Sequence, residues 1–353
     1  MCTLLRRTCC VRFVWVSLVV LGVQVARAPS VRAQPWVPPR GEGTVSLTYQ
    51  NYYVTGHFDL LGRENTNGAT HTKSLAVEID VGLTDTFGLS VSLPFIASKY
   101  TGPPSYRVAG IVTVPGPLDD GTYHAAFQDL RVELRRIFPA GPVGVAPFVG
   151  VSIPSHEYET VGEAVPGRRR PEMQLGATAG VPLDGILPGA YVQGRYGLGA
   201  APPLQGRSAV RSNIDLEAGC AVTTRLAFRG LFGWQFRLKG PLAPELAQDW
   251  VNHDRFIVGN YFNAGGGTTI SVTRSMELYG VWVATMSGKN GAHVARLLAV
   301  GATWSFGGGF GGFGGSGASA QRDGTLSVDP TGNGIRKVMT TEPRRIWSPS
   351  ASR

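Results

Sequence analysis

The sequence predicts an all-β protein: a transmembrane, antiparallel, up-and-down β-barrel of about twelve strands with a disordered C-terminal tail. Three observations predict this class. Two runs, 75–83 and 87–95, alternate apolar with polar residues; an export leader precedes the strands; and the last strand has the composition of a barrel terminus. A strand of about ten residues, tilted by about 45°, crosses the apolar layer of a bilayer.

The two runs also show which face meets which solvent. Odd positions from 75 to 95 are almost all large and apolar, whereas Glu78 and Asp80 lie on the other face. Thr84 and Asp85 join the runs as a tight turn. One face is therefore predicted to contact lipid and the other to line a wet lumen.

Residues 1–33 are predicted to be a cleavable signal peptide. Arg6, Arg7 and Arg12 precede an apolar stretch at 13–25 that is too short to span a membrane as a helix, and small residues flank a cleavage position after Ala33. The protein is therefore predicted to be exported. Cys220 is the one cysteine that follows this leader, which excludes an intramolecular disulfide.

The net charge of +9 is concentrated outside the predicted barrel. The leader carries five arginines and the tail beyond residue 306 carries +3, so that residues 34–306 carry only +1. A nucleic-acid partner would need a concentrated basic surface, and this distribution argues against one. After the leader no run of 18 apolar residues occurs, so any membrane crossing must use strands.

The period-two segments between residues 34 and 306 number twelve. They are predicted at 44–54, 73–83, 86–96, 123–136, 143–153, 171–181, 189–199, 208–221, 225–237, 255–271, 276–286 and 294–306. Longer connections alternate with short ones, as in barrels with long outer loops and short periplasmic turns. The predicted location is the outer membrane of a Gram-negative-type bacterium, with both ends of the chain on the periplasmic side.

Charged residues of both signs share one face of several strands and are predicted to line the lumen. They are Glu78, Asp80, Asp129, Arg131, Glu133, Arg135, Arg195, Arg211, Asp215, Glu217, Arg225 and Arg229. A soluble β-sandwich would show the same alternation, but the leader and the richly apolar opposite faces favour a barrel. Arg131, Glu133 and Arg135 alternate in sign, which favours internal pairing over a single-sign selectivity ring.

The lumen assignment leads to an expectation about pore chemistry. Glu78→Leu or Asp80→Leu should change ion selectivity without abolishing assembly. A lumen plugged by salt bridges remains an alternative. A barrel of twelve strands is intermediate in width between barrels of eight strands, which side chains fill, and barrels of sixteen, which hold an aqueous channel.

The last strand holds the most specific pattern. Gly301, Trp304 and Phe306 match the C-terminal strand signature read by the outer-membrane barrel assembly machinery, although 47 residues follow. The tail, 307–353, begins almost entirely with Gly and Phe and continues as a polar, Pro-containing segment. Such a composition buries too little apolar surface to order itself, which predicts a disordered periplasmic tail.

With the leader, the hairpin at 81–89 and the ending at Phe306, the mature chain resembles outer-membrane transporter-like barrels, and in particular the family associated with meta-pathway phenol degradation. The resemblance implies passage of small, often hydrophobic, molecules across the outer membrane. It implies outer-membrane lipid, the assembly machinery and a small-molecule cargo as partners. It supplies no catalytic residue and no cofactor.

Two other functions remain as alternatives. A closed structural or adhesive barrel would act through its outer loops, chiefly 97–122. A hydrolase at the outer rim would use His253 with Asp254, or His156 with Ser155 and Glu157, although neighbours in a strand point to opposite faces. The histidines show no metal-ligand spacing. We therefore predict a non-enzymatic protein with no catalytic residues, no metal and no cofactor.

Overall fold

The computed structural model describes residues 37–66, 68–104, 106–108, 112–140, 143–246, 253–307, 324–328 and 335–339. Twelve strands form one closed wall. They are β1 Gly43–Phe58, β2 Ala69–Gly82, β3 Phe87–Thr101, β4 in the three segments His124–Phe127, Leu130–Arg136 and Phe138–Ala140, β5 Val143–Ile153, β6 Glu172–Pro182, β7 Ala190–Leu204, β8 Arg207–Ala221, β9 Leu226–Lys239, β10 Asn260–Ser271, β11 Met276–Lys289 and β12 Gly291–Phe306.

Every strand pairs antiparallel with its sequence neighbours, and β12 returns to β1 to close the barrel. Phe306 lies opposite Gly43 at the start of this seam, and Gly291 lies opposite Phe58 at its far end. The structure therefore confirms a closed, antiparallel, up-and-down barrel of twelve strands. Within the described residues, no helix has both the length and the apolar character that a membrane crossing requires.

The largest difference from the predicted strands lies between β9 and β10. A strand was expected from residue 255, but β10 begins at Asn260. Instead, a 3-10 helix at Ala243–Leu246 and a helical turn at His253–Phe256 occupy the connection. Leu246, Phe256 and Val258 are fully buried there. These apolar residues therefore pack inside the loop and do not lie on the lipid-facing side of a strand.

The outer surface of the barrel is an apolar belt. Leu75, Val77 and Ile79 of β2 are 43–44% exposed, and Trp282 and Leu298 on β11 and β12 are 46–47% exposed. A soluble protein rarely exposes a contiguous apolar surface of this extent. Because a closed barrel pairs all its strands, it is the β-structure that a bilayer accepts. The protein spans the outer membrane of a Gram-negative bacterium, with lipid around this belt.

Three short turns, at the end of the barrel that is predicted to face the periplasm, repeat one hydrogen-bonding pattern. In each, a threonine accepts a hydrogen bond at its hydroxyl oxygen from the backbone N–H two residues later: Thr84 from Thr86, Thr223 from Arg225 and Thr273 from Ser275. Threonine supports turns in this way. The repeated turn signal is thus a five-residue pattern: an apolar residue, threonine, any two residues and a second apolar residue. The strand alternation alone did not reveal it.

The segment before β1 covers part of the periplasmic end. Val37 is only 4% exposed, and its side chain lies over Gly88. The backbone N–H of Gly41 donates to Gly82 O at 2.9 Å, and the N–H of Gly82 donates to Glu42 O at 2.9 Å. Residues 37–42 are therefore docked against the ends of β2 and β3.

The two termini are only partly described. Residues 1–33 lie outside the described part, so the signal peptide stays a prediction. Within 307–353 the structure describes Gly307 and one antiparallel hairpin, Gly324–Val328 with Ile335–Met339, which the sequence did not lead us to expect. The remaining tail residues lie outside the described part, and disorder stays a prediction for them.

Deleting residues 307–353 should leave the barrel assembled, because the seam between β12 and β1 begins at Phe306. Heat-modifiable migration in SDS gels would measure assembly, with the full chain as the control. A truncated protein that runs only as the unfolded band would show that the tail belongs to the fold.

Candidate functional site: the barrel interior

Most of the predicted lumen charges are buried, away from the apolar belt of the outer surface. Nine of them are buried against the inner wall: Asp80, Asp129, Glu133, Arg135, Arg195, Arg211, Asp215, Glu217 and Arg229. Glu78 and Arg131 face the same way and are half-buried. The inner wall therefore carries a dense set of charges of both signs.

Arg225 is the exception, and its predicted place in the lumen is wrong. It lies in the turn between β8 and β9 and is exposed. Its backbone N–H donates to the Thr223 hydroxyl at 3.1 Å, and its carbonyl accepts from Ser271 N at 2.8 Å. The alternation of β9 begins only at Leu226, so extending the pattern by one residue placed a turn residue on the inner face.

Four ion pairs organise the buried charges. Arg195 binds Glu133 with both terminal nitrogens, at 3.1 and 2.6 Å. Arg135 pairs with Asp80. Arg211 lies 2.9 Å from Glu172, and Arg229 lies 3.7 Å from Glu217. We refer to these eight residues as the ionic belt. The alternating signs on β4 do mark internal pairing, as the sequence indicated.

The ionic belt follows the wall. Its pairs join β2 to β4, β4 to β7, β6 to β8 and β8 to β9, so in none of the four do the partners lie on opposite sides of the barrel. Small residues on intervening strands make this possible. A Cβ on Gly199 of β7 would lie 2.8 Å from Glu172 Oε1 and 3.3 Å from Arg211 Cγ, so glycine leaves the path along the wall free.

Sequence reasoning missed three polar residues of the inner wall. Glu172 completes the pair with Arg211, and the Tyr191 hydroxyl donates to Glu217 at 2.6 Å. Tyr279 lies over Gly301 and hydrogen-bonds Thr48. Glu172 could have been found, because it begins an inner-face series with Gln174 and Thr178. The tyrosines could not, since an aromatic residue fits either face of a barrel strand.

An apolar cluster lies on the opposite part of the inner wall. Leu231 of β9, Val281 and Val283 of β11, and Leu297 and Ala299 of β12 form one buried cluster with Tyr52, Tyr279 and Val294. We refer to it as the inner apolar patch. All these residues fall on the face away from the exposed Phe232, Trp282 and Leu298. The inner wall thus has a charged side and a side that carries an apolar cluster among uncharged polar residues, which the sequence analysis did not predict.

Outer loops fold over the extracellular end. In the loop 154–170, the Tyr158 hydroxyl donates to Asp129 at 2.5 Å, and Gln128 donates to Pro166 O at 2.8 Å. Asp119, from the preceding outer loop, accepts backbone N–H groups of the same loop at 2.8 and 3.1 Å. Burial and the neighbouring Asp129 raise the pKa of Tyr158, which therefore stays a hydrogen-bond donor.

Arginines hold these outer loops, which we refer to as the cap, in place by donating hydrogen bonds to backbone carbonyls. Arg170 donates to Pro202 O, to Arg207 O at 2.8 Å and to Arg255 O at 3.3 Å. Arg168 donates to Ile257 O at 2.7 Å, and Arg255 donates back to Arg168 O at 3.2 Å. Burial, with Arg168 and Arg255 nearby, lowers the pKa of Arg170. We refer to Arg168, Arg170 and Arg255 as the arginine clamp.

The groups considered for catalysis lie in the outer loops. Ser155 Oγ is 2.9 Å from His156 Nδ1, and both residues are exposed. Ser155 Oγ also donates to Phe127 O at 3.3 Å. The side chains of His253 and Asp254 lie outside what is described. Among the described residues, no group of three His, Cys, Asp or Glu side chains could hold a metal ion.

The predicted assembly residues occupy the closing strand. Gly301 faces inward under Tyr279, whereas Trp304 and Phe306 face outward and are 40% and 41% exposed. Trp304 lies opposite Val45 of β1 and Met276 of β11. These placements are compatible with an assembly signal, which stays a prediction.

Comparison with known proteins gives the architecture a context. No family model matches the chain, and no curated protein matches it. The structure is similar to an outer membrane channel from Pseudomonas putida F1, with a TM-score of 0.59, 13% identity, and coverage of 76% of this chain and 97% of that one. The NanC porin gives a TM-score of 0.43 at 9% identity, covering 74% and 98%. The translocator domain of the autotransporter NalP from Neisseria meningitidis gives 0.43 at 12%, covering 76% and 90%.

At such identities the first likeness shows the fold alone, and the two lower scores add no argument. The resemblance to the family associated with meta-pathway phenol degradation stays a prediction. Structure and comparison together establish a closed, twelve-stranded barrel whose fold is similar to that of an outer membrane channel.

Proposed function

We propose that this protein is a narrow, non-enzymatic outer-membrane channel for the passive passage of small molecules. The path of the ionic belt along the wall carries the proposal, because in its four pairs no partner reaches across the barrel. A barrel filled for stability alone gains little from so many buried charges, since ion pairs are weak stabilisers compared with apolar packing. Charges that line a passage set which solutes enter it.

The inner apolar patch supports a cargo that includes hydrophobic molecules. Val281, Val283, Leu297 and Ala299 give one side of the lumen an apolar surface, whereas the ionic belt gives the other side a polar one. A small molecule with an apolar face and a polar group can contact both surfaces at once. We propose amphipathic small molecules as the cargo class, in keeping with the resemblance stated above.

A second candidate function draws on the cap and on the burial of the inner faces. If the loops held by the arginine clamp never move, the barrel is closed and acts through its outer surface. The same geometry supports both candidates, and they differ in one measurable property, which is conductance.

Single-channel recording of the refolded mature protein in a planar bilayer tests the proposal. We expect discrete steps of low conductance, because the cap and the buried inner wall leave a narrow path. An inserted protein without steps, shown to be folded by its heat-modifiable migration, would refute the channel and favour the closed barrel. Turnover of an ester or lipid substrate by the same sample would instead favour the rim hydrolase.

Glu78→Leu should shift the channel toward anion preference. Glu78 is a half-buried carboxylate on the inner face of β2, so its removal makes the passage less attractive to cations. The reversal potential under a KCl gradient measures the shift. Glu157→Leu, which removes an exposed carboxylate of an outer loop, is the control. Equal reversal potentials for Glu78→Leu and the unchanged protein would place Glu78 outside the conducting path.

A further inference from the structure

A row of polar residues crosses the outward face of four neighbouring strands, near the end of the barrel that is predicted to face the cell exterior. Arg296 of β12 lies opposite Tyr53 of β1, and Tyr53 lies opposite His71 of β2. His71 in turn lies opposite Lys99 of β3, and Lys73 follows two residues after His71 on the same face of β2. We refer to these five residues as the basic row. It covers three inter-strand spacings, or about 14 Å.

The basic row borders the apolar belt of the outer surface. Leu75 and Leu298, which follow Lys73 and Arg296 by two residues on the same strand faces, are 44% and 47% exposed. A charged side chain on this surface is costly at the middle of a bilayer and is tolerated near its edge. Tyrosine is enriched at that same level, among the lipid headgroups. The basic row therefore lies at the headgroup level of the leaflet that is predicted to be the outer one.

The cations of the basic row contact aromatic rings. Lys73 Nζ lies 4.6 Å and Lys99 Nζ lies 5.2 Å from the centroid of the same ring, that of Tyr123. Arg296 Cζ lies 5.4 Å from the centroid of the Tyr53 ring. Across the described part of the chain, no carboxylate forms an ion pair with any of the three cations. Cation–π contacts position a cation without neutralising its charge, so the three positive charges remain available to an anion.

Like charges are crowded in the basic row. All three cations act electrostatically on the His71 ring, whose centroid lies 4.3 Å from that of the Tyr53 ring. Glu64, a carboxylate that pairs with the end of β1, is engaged by His293. Like charges on adjacent strands destabilise a sheet, and a counter-charge relieves this repulsion. The basic row therefore presents a positive surface that complements an anion from outside the protein.

We propose that the basic row binds the diphosphorylated headgroup of lipid A, the lipid part of the lipopolysaccharide in the outer leaflet of a Gram-negative outer membrane. Lipid A is a disaccharide with one phosphate at each end. The basic row has the matching arrangement, with Arg296 at one end and Lys73 and Lys99 at the other. Both types of cation form strong hydrogen bonds with phosphate. Tyr53 and His71 lie between them, beneath the sugars. The proposal goes beyond the channel function and does not depend on it.

A cation at the opposite end of the barrel provides a matched control. Arg136 of β4 is exposed, and its Cζ lies 5.3 Å from the centroid of the Phe87 ring and 4.6 Å from that of the Phe138 ring. It has the same kind of cation–π support as Arg296. Because it lies at the other end of the barrel, it faces the other leaflet, and its removal leaves the basic row intact.

Lipid binding to the mature protein in detergent micelles tests the proposal. Native mass spectrometry measures the fraction of protein that holds one lipid molecule as the lipid concentration rises. The probes are diphosphoryl lipid A, monophosphoryl lipid A and phosphatidylglycerol, an anionic lipid with one phosphate. The variants are Arg296→Gln, the double variant Lys73→Gln with Lys99→Gln, and the control Arg136→Gln. Heat-modifiable migration in SDS gels shows whether each variant is folded.

Removing the cations at either end of the basic row should weaken the binding of diphosphoryl lipid A. Arg296→Gln and the lysine double variant should each lower the affinity roughly tenfold, the size expected for losing a charge-assisted hydrogen bond. Arg136→Gln should leave the affinity unchanged. With monophosphoryl lipid A, only the variant at the end that meets the remaining phosphate should still lose affinity, because effects on one shared contact are not additive.

Two results would overturn the proposal. Equal affinities of folded Arg296→Gln and Arg136→Gln for diphosphoryl lipid A would show that the basic row does not hold the headgroup. Equal affinities of the unchanged protein for lipid A and for phosphatidylglycerol would show a contact with anionic lipids in general and would refute a site for two phosphates. Neither result bears on conductance, so the proposed channel is tested separately.

Discussion

Replacing Asp80 with leucine should lower the free energy of unfolding by roughly 3–5 kcal/mol, the cost of removing one partner from a buried ion pair. Asp80 has no exposed surface, pairs with Arg135 and accepts a hydrogen bond from Ser90 at 3.0 Å. Its loss leaves the Arg135 guanidinium buried without its principal counter-charge. The sequence predicted only altered ion selectivity for this variant, and the burial of the pair changes that expectation.

Urea unfolding in detergent micelles, followed by tryptophan fluorescence, measures the loss. The double variant Asp80→Leu with Arg135→Leu should recover much of it, because two apolar side chains of similar size replace the whole pair. Glu78→Leu, two residues away and half-buried, is the control and should cost far less. Equal unfolding midpoints for Asp80→Leu and Glu78→Leu would contradict a structural role for the pair.

Arg170→Ala should raise the conductance of the channel and make it fluctuate. One guanidinium donates to carbonyls of Pro202, Arg207 and Arg255 and so ties the loop 154–170 to two neighbouring segments. Hydrogen bonds from a charged donor contribute about 1.5–3 kcal/mol each, so their joint loss should free the cap. In the barrel wall these contacts reach only the loop-proximal ends of β7 and β8, so the wall should stay folded.

Single-channel recordings of Arg170→Ala and of Arg63→Ala make the comparison. Arg63 is also an outer-loop arginine, but its side chain is 75% exposed and pairs only locally with Asp59. Surface pairs of that kind contribute little. An increase in conductance with Arg170→Ala but not with Arg63→Ala would show that the cap limits the passage of ions. Identical traces for the two variants would mean that the narrowest point lies in the barrel.

The alternation of apolar and polar residues is enough to predict most of the strands of the fold. Eleven of the twelve predicted segments fall on strands of the structure, because a face in lipid must be apolar along its whole length. The prediction for 255–271 was wrong only at its start, where Phe256 and Val258 are buried in a loop. A period-two pattern cannot distinguish an apolar residue that faces lipid from one that packs inside a folded loop.

The interior was less accessible to sequence reasoning. The charges of β4 and β8 could be placed inside, since a charge on the lipid face would be costly. Their partners could not be assigned. Glu133 of β4 and Arg195 of β7 meet only because the wall curves over the two strands between them, and the sequence pattern does not give this curvature. The inner apolar patch was invisible for the opposite reason: Val281 and Leu297 satisfy the pattern of a lipid-facing residue equally well.

The ionic belt also divides the barrel into two mechanical halves. Its pairs link β2 through β9, and three of the four cross intervening strands. On β11 and β12 the inner face is mainly an apolar cluster, whose packing has no preferred direction and yields to sliding. Deformation of the cross-section by the surrounding bilayer should therefore be absorbed mainly at β11 and β12.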